Sequence, residues 1–336
     1  MDIRQLLMIA IDRHASDLHL SAGLPPIIRI DGHLQKLDLA VLEQDELCSL
    51  LNGIMNEQQQ RFYEERFELD FAFQLDALCR LRVHVFKQAR GISAVFRIIP
   101  TEIRTLDELH FPAIFKEIAS FSKGLVLVTG PTGSGKSTTL AALISYINNK
   151  EYKHIVTIED PIEFTYTSAN CLIHQREVHR DTHSFKSALR SVLREDPNII
   201  LLGELRCHET IRLALTAAET GHLVLATLHT NSAATSINRI IDAFSGEEKS
   251  LIRSMLSESL QAVIAQTLMP KIGGGRVAAF EIMISNPAIK NLIREDKIAQ
   301  IYSTMQTGQK MGMQTFEQSY LKLVANQLIA EKTGAS

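Results

Sequence analysis

The sequence predicts an α/β protein of two modules, an antiparallel α+β module followed by a larger one built on a parallel sheet. Three observations carry this. Short segments that alternate apolar and polar residues fill the first third of the chain. Later, four runs that are apolar but for Thr157 and Thr227, Leu125–Val128, Ile155–Ile158, Ile199–Leu202 and Leu223–Leu228, alternate with helix-forming stretches. Strands buried on both faces of a parallel sheet read this way. The first of these runs leads into Gly130-Pro131-Thr132-Gly133-Ser134-Gly135-Lys136-Ser137-Thr138, which fits the phosphate-binding pattern G-x-x-x-x-G-K-[ST].

The first module spans residues 1–100. Ile3, Leu6, Leu7 and Ala10 share one helical face. Residues 16–21 alternate as a strand, and 27–30 and 34–37 flank Asp31-Gly32, a hairpin signal. Residues 43–66 hold two short helices parted near Asn52-Gly53. Residues 67–75, 80–86 and 92–99 alternate as strands, on a mostly antiparallel sheet. Pro100 and the polar residues after it predict a linker over 101–108, and residues 109–336 form the second module. Residues 106–121 have the periodicity of an amphipathic helix. The tail from about Glu247 is predicted mainly helical, with a basic, glycine-rich break at 270–276.

Composition bounds the function. With 336 residues, 45% of them hydrophobic, the chain can bury two sizeable cores. A net charge of −3 argues against a broad polyanion-binding surface, and the chain has no Trp and no basic–aromatic tract. Cys48, Cys79, Cys171 and Cys207 are scattered, none at metal-ligand spacing, as expected of a reducing compartment. No apolar run approaches the ~20 residues of a membrane helix, so a cytoplasmic protein is expected, able still to dock on a membrane complex.

The P-loop has the strand–loop–helix setting that its chemistry needs. Glycines let backbone amides converge, and the following helix adds the positive end of its dipole. Lys136 is expected to reach the β- and γ-phosphates of ATP, and the Ser137 hydroxyl to ligate Mg²⁺. Asp196–Glu204 resembles a Walker B strand with Gly203 where Asp is common, so Glu204 is the candidate base for the attacking water. This strand is expected beside the P-loop strand. Glu159, Asp160 and Glu163 follow another parallel strand, at the edge where ligands bind. They could orient Mg²⁺ or its waters, though Glu-Asp-Pro is also ordinary turn chemistry. His222 and His229 bracket residues 223–228. A histidine there could sense the γ-phosphate, or simply satisfy local structure. Arg80, Arg82, Arg90 and Arg97 lie on or between strands of the first module. Solvated arginines are the default there, but in a ring such residues can complete a neighbour's site.

Together these stretches resemble the secretion-superfamily ATPases, most nearly the retraction ATPases of type IV pili. Ala15–Gly23 with Pro25-Pro26 is similar to the family's N-terminal signature, Glu159–Glu163 to its Asp box, Gly203-Glu204 to its Walker B and Gly221–His229 to its His box. Ala288-Ile289-Lys290-Asn291-Leu292-Ile293-Arg294-Glu295 resembles a motif of the retraction branch, with Lys290 in place of Arg. The resemblance implies a PAS-like first module and a RecA-like ATPase second module with a helical C-terminal region. It implies a homohexamer that binds Mg-ATP between modules. Glu163 acts with Glu204 there, His222 and His229 belong to the site, and Arg82 and Arg97 contribute from a neighbour. It further implies docking on an inner-membrane platform protein, a sibling retraction ATPase as partner, and no nucleic acid. Extension and secretion ATPases of the superfamily are the alternative reading. Many carry a tetracysteine zinc insert, a spacing this chain does not show. A RecA-like nucleic-acid motor is the remoter one.

Overall fold

The computed structural model describes residues 2–75, 79–99 and 102–331. It divides into two compact units, Met1–Glu102 with Pro161–Thr165, and Ile103–Asp160 with Tyr166–Ser336.

In the first unit, α1 (Ile3–Asp12) starts at Asp2, whose side chain accepts from the Arg4 amide while Gln5 returns to the Asp2 amide. Its buried residues are Ile3, Leu6, Leu7 and Ala10, the face the periodicity marks. Strands β1 (Asp17–Ser21), β2 (Ile27–Ile30) and β3 (His33–Lys36) follow. Asp31 and Gly32 both have positive φ, +48° and +89°, as a two-residue hairpin turn with the sheet's own twist requires. After α2 (Gln44–Asn52) and α3 (Glu57–Arg66) come β4 (Glu68–Leu75), β5 (Cys79–Gln88) and β6 (Gly91–Ile99). The sheet is antiparallel, in the order β3-β2-β1-β6-β5-β4. Leu18, Leu20, Leu81, Val83 and Phe96 pack from one face against Leu6, Leu7, Leu47 and Leu51 of the helices. Arg29, Arg82, Arg97, Asp17 and His84 are their alternates on β1, β2, β5 and β6, which puts them on the other face.

The second unit is built from α4 (Ile114–Ala119), β7 (Gly124–Thr129), α5 (Lys136–Lys150), β8 (His154–Glu159), β9 (Leu172–Glu177), α6 (Phe185–Val192), β10 (Ile199–Leu202), α7 (His208–Glu219), β11 (Leu223–Leu228), α8 (Ala233–Asp242), α9 (Gly246–Ser259), β12 (Leu260–Pro270), β13 (Arg276–Ile284), α10 (Pro287–Arg294), α11 (Ile301–Thr307) and α12 (Phe316–Ala325). Its sheet runs β13-β12-β7-β11-β10-β8-β9, parallel except for the edge strand β13. The apolar runs are explained by burial on both sides. Ile199 and Leu201 join Leu143, Ile144 and Ile147 of α5, while Ile200 and Leu202 join Leu189 of α6 and Leu215 of α7. Each such side chain contributes about 1.5–3 kcal/mol on burial.

Four expectations are corrected. The helix foreseen over 106–121 is formed only at Ile114–Ala119. Pro112 disfavours the helical conformation at Phe111, and His110 turns with φ +56°. Leu106 is nonetheless buried with Phe115 and Ile118, so the apolar periodicity reported burial rather than helix. The tail is helical as expected in α9–α12, but within it β12 and β13 form a hairpin. Ala262–Ala265 is a short run buried on both faces, where periodicity alone does not separate strand from helix. The glycine-rich break is the hairpin's turn, with φ of +86°, +101° and +75° at Gly273, Gly274 and Gly275. Strand β9 was not foreseen, since its residues are mostly polar and only partly covered. The Walker B strand β10 is not beside the P-loop strand β7, for β11 lies between them. Pro100 and Thr101, where the linker is expected, lie outside the described residues.

Candidate active site

The parallel register brings four chain segments to one edge of the second sheet. Thr129 of β7 pairs with Leu228 of β11, Ala226 of β11 with Leu202 of β10, and Leu202 with Ile158 of β8. The residues that follow, the P-loop, His229, Gly203-Glu204 and Glu159-Asp160, therefore emerge side by side.

The P-loop occupies residues 130–135 between β7 and α5, with φ of +147°, +78° and +90° at Gly130, Gly133 and Gly135. A Cβ at Gly130 would sit 2.4 Å from the Gln266 carbonyl oxygen and 2.6 Å from Ser134 Oγ, so no side chain fits. Pro131, Thr132 and Gly133 are exposed at the tip, and Ser134 and Lys136 are buried. Lys136, Ser137 and Thr138 begin α5, so their amides lack intrahelical acceptors and face an incoming anion with the helix dipole behind them. Ser134 Oγ is buried with no hydrogen-bond partner. A hydroxyl so placed, in a cradle that admits no Cβ, fits a phosphate oxygen.

A continuous line of polar contacts crosses the edge. Lys136, 9% exposed, donates from Nζ to the carbonyls of Gly130 at 2.7 Å and Pro131 at 3.0 Å. The same Nζ lies 3.4 Å from His229 Nδ1, and His229 Nε2 lies 3.3 Å from Glu204 Oε1. An ammonium only donates, so Nδ1 accepts and the neutral ring carries its proton on Nε2, directed at the carboxylate. Arg206 Nε donates to Glu204 Oε2 at 2.8 Å, and its NH1 comes within 4.0 Å of Asp160 Oδ2. Glu159 Oε1 accepts from Thr157 Oγ1 at 2.6 Å.

Not every predicted residue gathers here. His222 precedes β11, whereas the P-loop lies past the strand's other end, about 20 Å away at ~3.3 Å per residue. Its Nδ1 is 3.0 Å from the Ala217 carbonyl, where it caps the end of α7. Within one chain His222 is thus separate from Lys136. Glu163 belongs to the first unit, where Oε1 is 3.8 Å from Arg82 NH1. Arg80 Nε donates to the Ile162 carbonyl at 2.8 Å, Arg97 Nε pairs with buried Asp17 at 3.0 Å, and Arg90 is exposed in the β5–β6 turn. Lys290 and Arg294, one turn apart on α10, share Glu258 of α9 at 3.2 and 2.6 Å. The two cations, Lys290 foremost, hold that carboxyl below the usual carboxylate range. A point charge is enough at position 290, because the planar fork comes from Arg294.

Sequence reasoning missed two residues. Arg206 could have been found two positions after Glu204. Gln266 carried no signal, being far away in sequence on a strand mistaken for helix. It is 2% exposed, accepts from Thr139 Oγ1 at 2.7 Å and donates to the Ser134 carbonyl at 2.6 Å, bracing helix and loop together. Gln266→Ala is expected to cost about 2–4 kcal/mol through an unsatisfied buried carbonyl and a cavity. It should also raise the KM for ATP; thermal unfolding and steady-state kinetics check both.

Among the described residues no three His, Cys, Asp or Glu side chains gather as a metal cage. That suits Mg²⁺, which keeps waters and takes phosphate oxygens with one or two protein ligands. Ser137 on the first turn of α5, with Glu159 and Asp160 at the neighbouring strand end, fits this manner of binding.

The sequence profile of the family described as "Type II/IV secretion system protein" matches residues 1–274. The chain is 59% identical to the type IV pilus retraction ATPase PilT of Pseudomonas aeruginosa, over 99% of this chain and 96% of that one. It is 54% identical to a twitching motility protein of Neisseria gonorrhoeae, over 91% and 82% of the two chains. The crystal structure of a pilus retraction motor, PilT with bound ADP, superposes with a TM-score of 0.88 at 46% identity, over 98% of this chain and 95% of that one. Phosphate cradle, strand-end carboxylate and these likenesses agree: the chain belongs to the type II/IV secretion system protein family and, within it, to the PilT-type ATPases.

Proposed function

We propose that this chain is a hexameric motor that hydrolyses Mg-ATP to retract type IV pili and so drive twitching. The observation that carries the catalytic part is His229, in reach of both Lys136 and Glu204. It joins the residue that would hold the γ-phosphate to the one that would deprotonate water. The retraction part is supported by the relatives named for that activity, and by α10, which lies beyond the family match.

Lys136 and the first amides of α5 would bind the β- and γ-phosphates. Mg²⁺ on Ser137 would neutralise phosphate charge, with Glu159 and Asp160 orienting its waters. Glu204 would take the proton of the attacking water, held in place by Arg206 and His229. Glu163, Arg82 and Arg97 are assigned by family likeness to proton transfer and to charge neutralisation across the ring, and His222 likewise to a neighbouring subunit's site. No helix of the described residues is long and apolar enough to cross a membrane. The ring would be cytoplasmic and reach the inner membrane by docking on a platform protein, with a sibling ATPase as a further partner. The α10 face is the candidate dock.

Counting surface pili and measuring twitching after gene deletion tests this. Abundant pili without twitching, unrescued by a Glu204→Gln allele, is the expected result. Loss of all pili would make the protein an assembly ATPase.

A further inference from the structure

The second sheet has a row of three residues in register across adjacent strands, Thr129 of β7, Ala265 of β12 and Glu281 of β13. Paired positions point to one face, and here that face carries α8. The row is polar at both ends, with buried Thr129 and Glu281 on either side of Ala265. Thr129 Oγ1 is 3.4 Å from Ser236 Oγ of α8. Glu281 is 4% exposed and accepts the amide of Ala233, the first residue of α8, at 2.7 Å. Burial pushes the Glu281 carboxyl above the usual range, and the Ala233 amide draws it partly back.

A buried carboxylate is costly, and an apolar side chain would fill this place at less expense. What it holds gives the reason. Only residues 229–232 connect β11 to α8. His229 is at one end of this connection, against Lys136 and Glu204. At the other, Ser232 caps the Thr235 amide while Glu281 takes the Ala233 amide, so two donors of the first turn are held separately. Ser236 ties the middle, bonding Thr230 Oγ1 at 2.6 Å and the Ser232 carbonyl at 2.6 Å. With only residues 230–232 between His229 and Ala233, a shift of the α8 N-terminus would be passed on to His229.

We propose that Glu281 is a positioning residue for ATP hydrolysis, pinning the start of α8 so that His229 stays aligned between Lys136 and Glu204. This rests on the reading of Glu204 and His229 as reacting-centre residues. It requires the hydrogen bond at Ala233 and not the negative charge, which separates it from a general stabilising role.

The full-length protein is assayed as Glu281→Met, which fills the space without an acceptor, and as Glu281→Gln, which keeps one. Expected for Glu281→Met is a fall in kcat of about tenfold or more, with KM for ATP within about threefold, since the P-loop is untouched. The melting temperature should change by no more than a few degrees, because losing the desolvation cost of the buried carboxyl offsets the Ala233 amide left without an acceptor. Glu281→Gln should restore kcat to within about threefold of the parent. Parental kcat in Glu281→Met overturns the proposal. So does a Gln variant as slow as Met, or a kcat loss that tracks a falling melting temperature. Glu204→Gln is run alongside: if it turns over normally, the reading of the site fails whatever Glu281 does.

Discussion

Lys136→Ala is expected to lower ATP turnover by about 10²–10³-fold, the scale on which a single preorganised donor to developing phosphate charge contributes. The ammonium lies on the Gly130 and Pro131 carbonyls, 2.7 and 3.0 Å away, so it is held in the loop whose amides face the phosphates. Alanine leaves both carbonyls without this donor and strips the cradle of its one full positive charge. The fold should survive, because α5 is anchored by Leu140, Leu143, Ile144 and Ile147 in the core of the second unit. Phosphate-release kinetics give the turnover, and thermal unfolding with and without ADP gives binding. The expected pattern is a parental melting temperature in buffer with the ADP-induced rise largely abolished. Turnover within threefold of the parent would remove Lys136 from the mechanism.

Glu204→Gln separates chemistry from binding. It keeps the shape and an acceptor for Arg206 but removes the carboxylate proposed to take the water's proton. The loss in kcat should be about 10²–10⁴-fold, the usual contribution of a positioned general base. KM for ATP should stay within about threefold, since no loop amide is disturbed. The two changes should not multiply in the double variant, because His229 contacts both residues and each acts on the same step. Single-turnover measurement with excess enzyme shows whether bound ATP persists. A Glu204→Gln protein that cleaves bound ATP at the parental rate would mean that the proton goes elsewhere, and Glu159 would be the next carboxylate to test.

Much of the architecture was legible because it follows from local rules. Short apolar runs that alternate with helix-forming stretches after a P-loop read as strands covered on both faces, and β7, β8, β10 and β11 lie where those runs lie. Asp31-Gly32 marks a hairpin because few other pairs accept two positive φ angles. The P-loop announces itself because its glycines answer a steric demand, visible at Gly130 as a Cβ with no room. Where prediction failed, local evidence pointed two ways. Residues 106–113 have a helix's apolar spacing but carry Pro112. The run in β12 is too short and too evenly buried to show a period.

By itself, then, the sequence determined the presence of a P-loop α/β unit, the glycine-rich loop between its β7 and α5 and Glu204 as the carboxylate just past β10. Each of these is a contiguous segment whose chemistry depends on its immediate neighbours. The tertiary structure alone decided which distant residues share that edge. It placed β11 between β7 and β10, put His229 beside Lys136 and Glu204 and His222 at the sheet's far end, and brought in Arg206, Gln266 and Glu281. The physical reason is that strand order and register are set by packing over the whole sheet. A two-residue step along a strand keeps a side chain on its face, but which strands are neighbours is written in no single stretch of the chain.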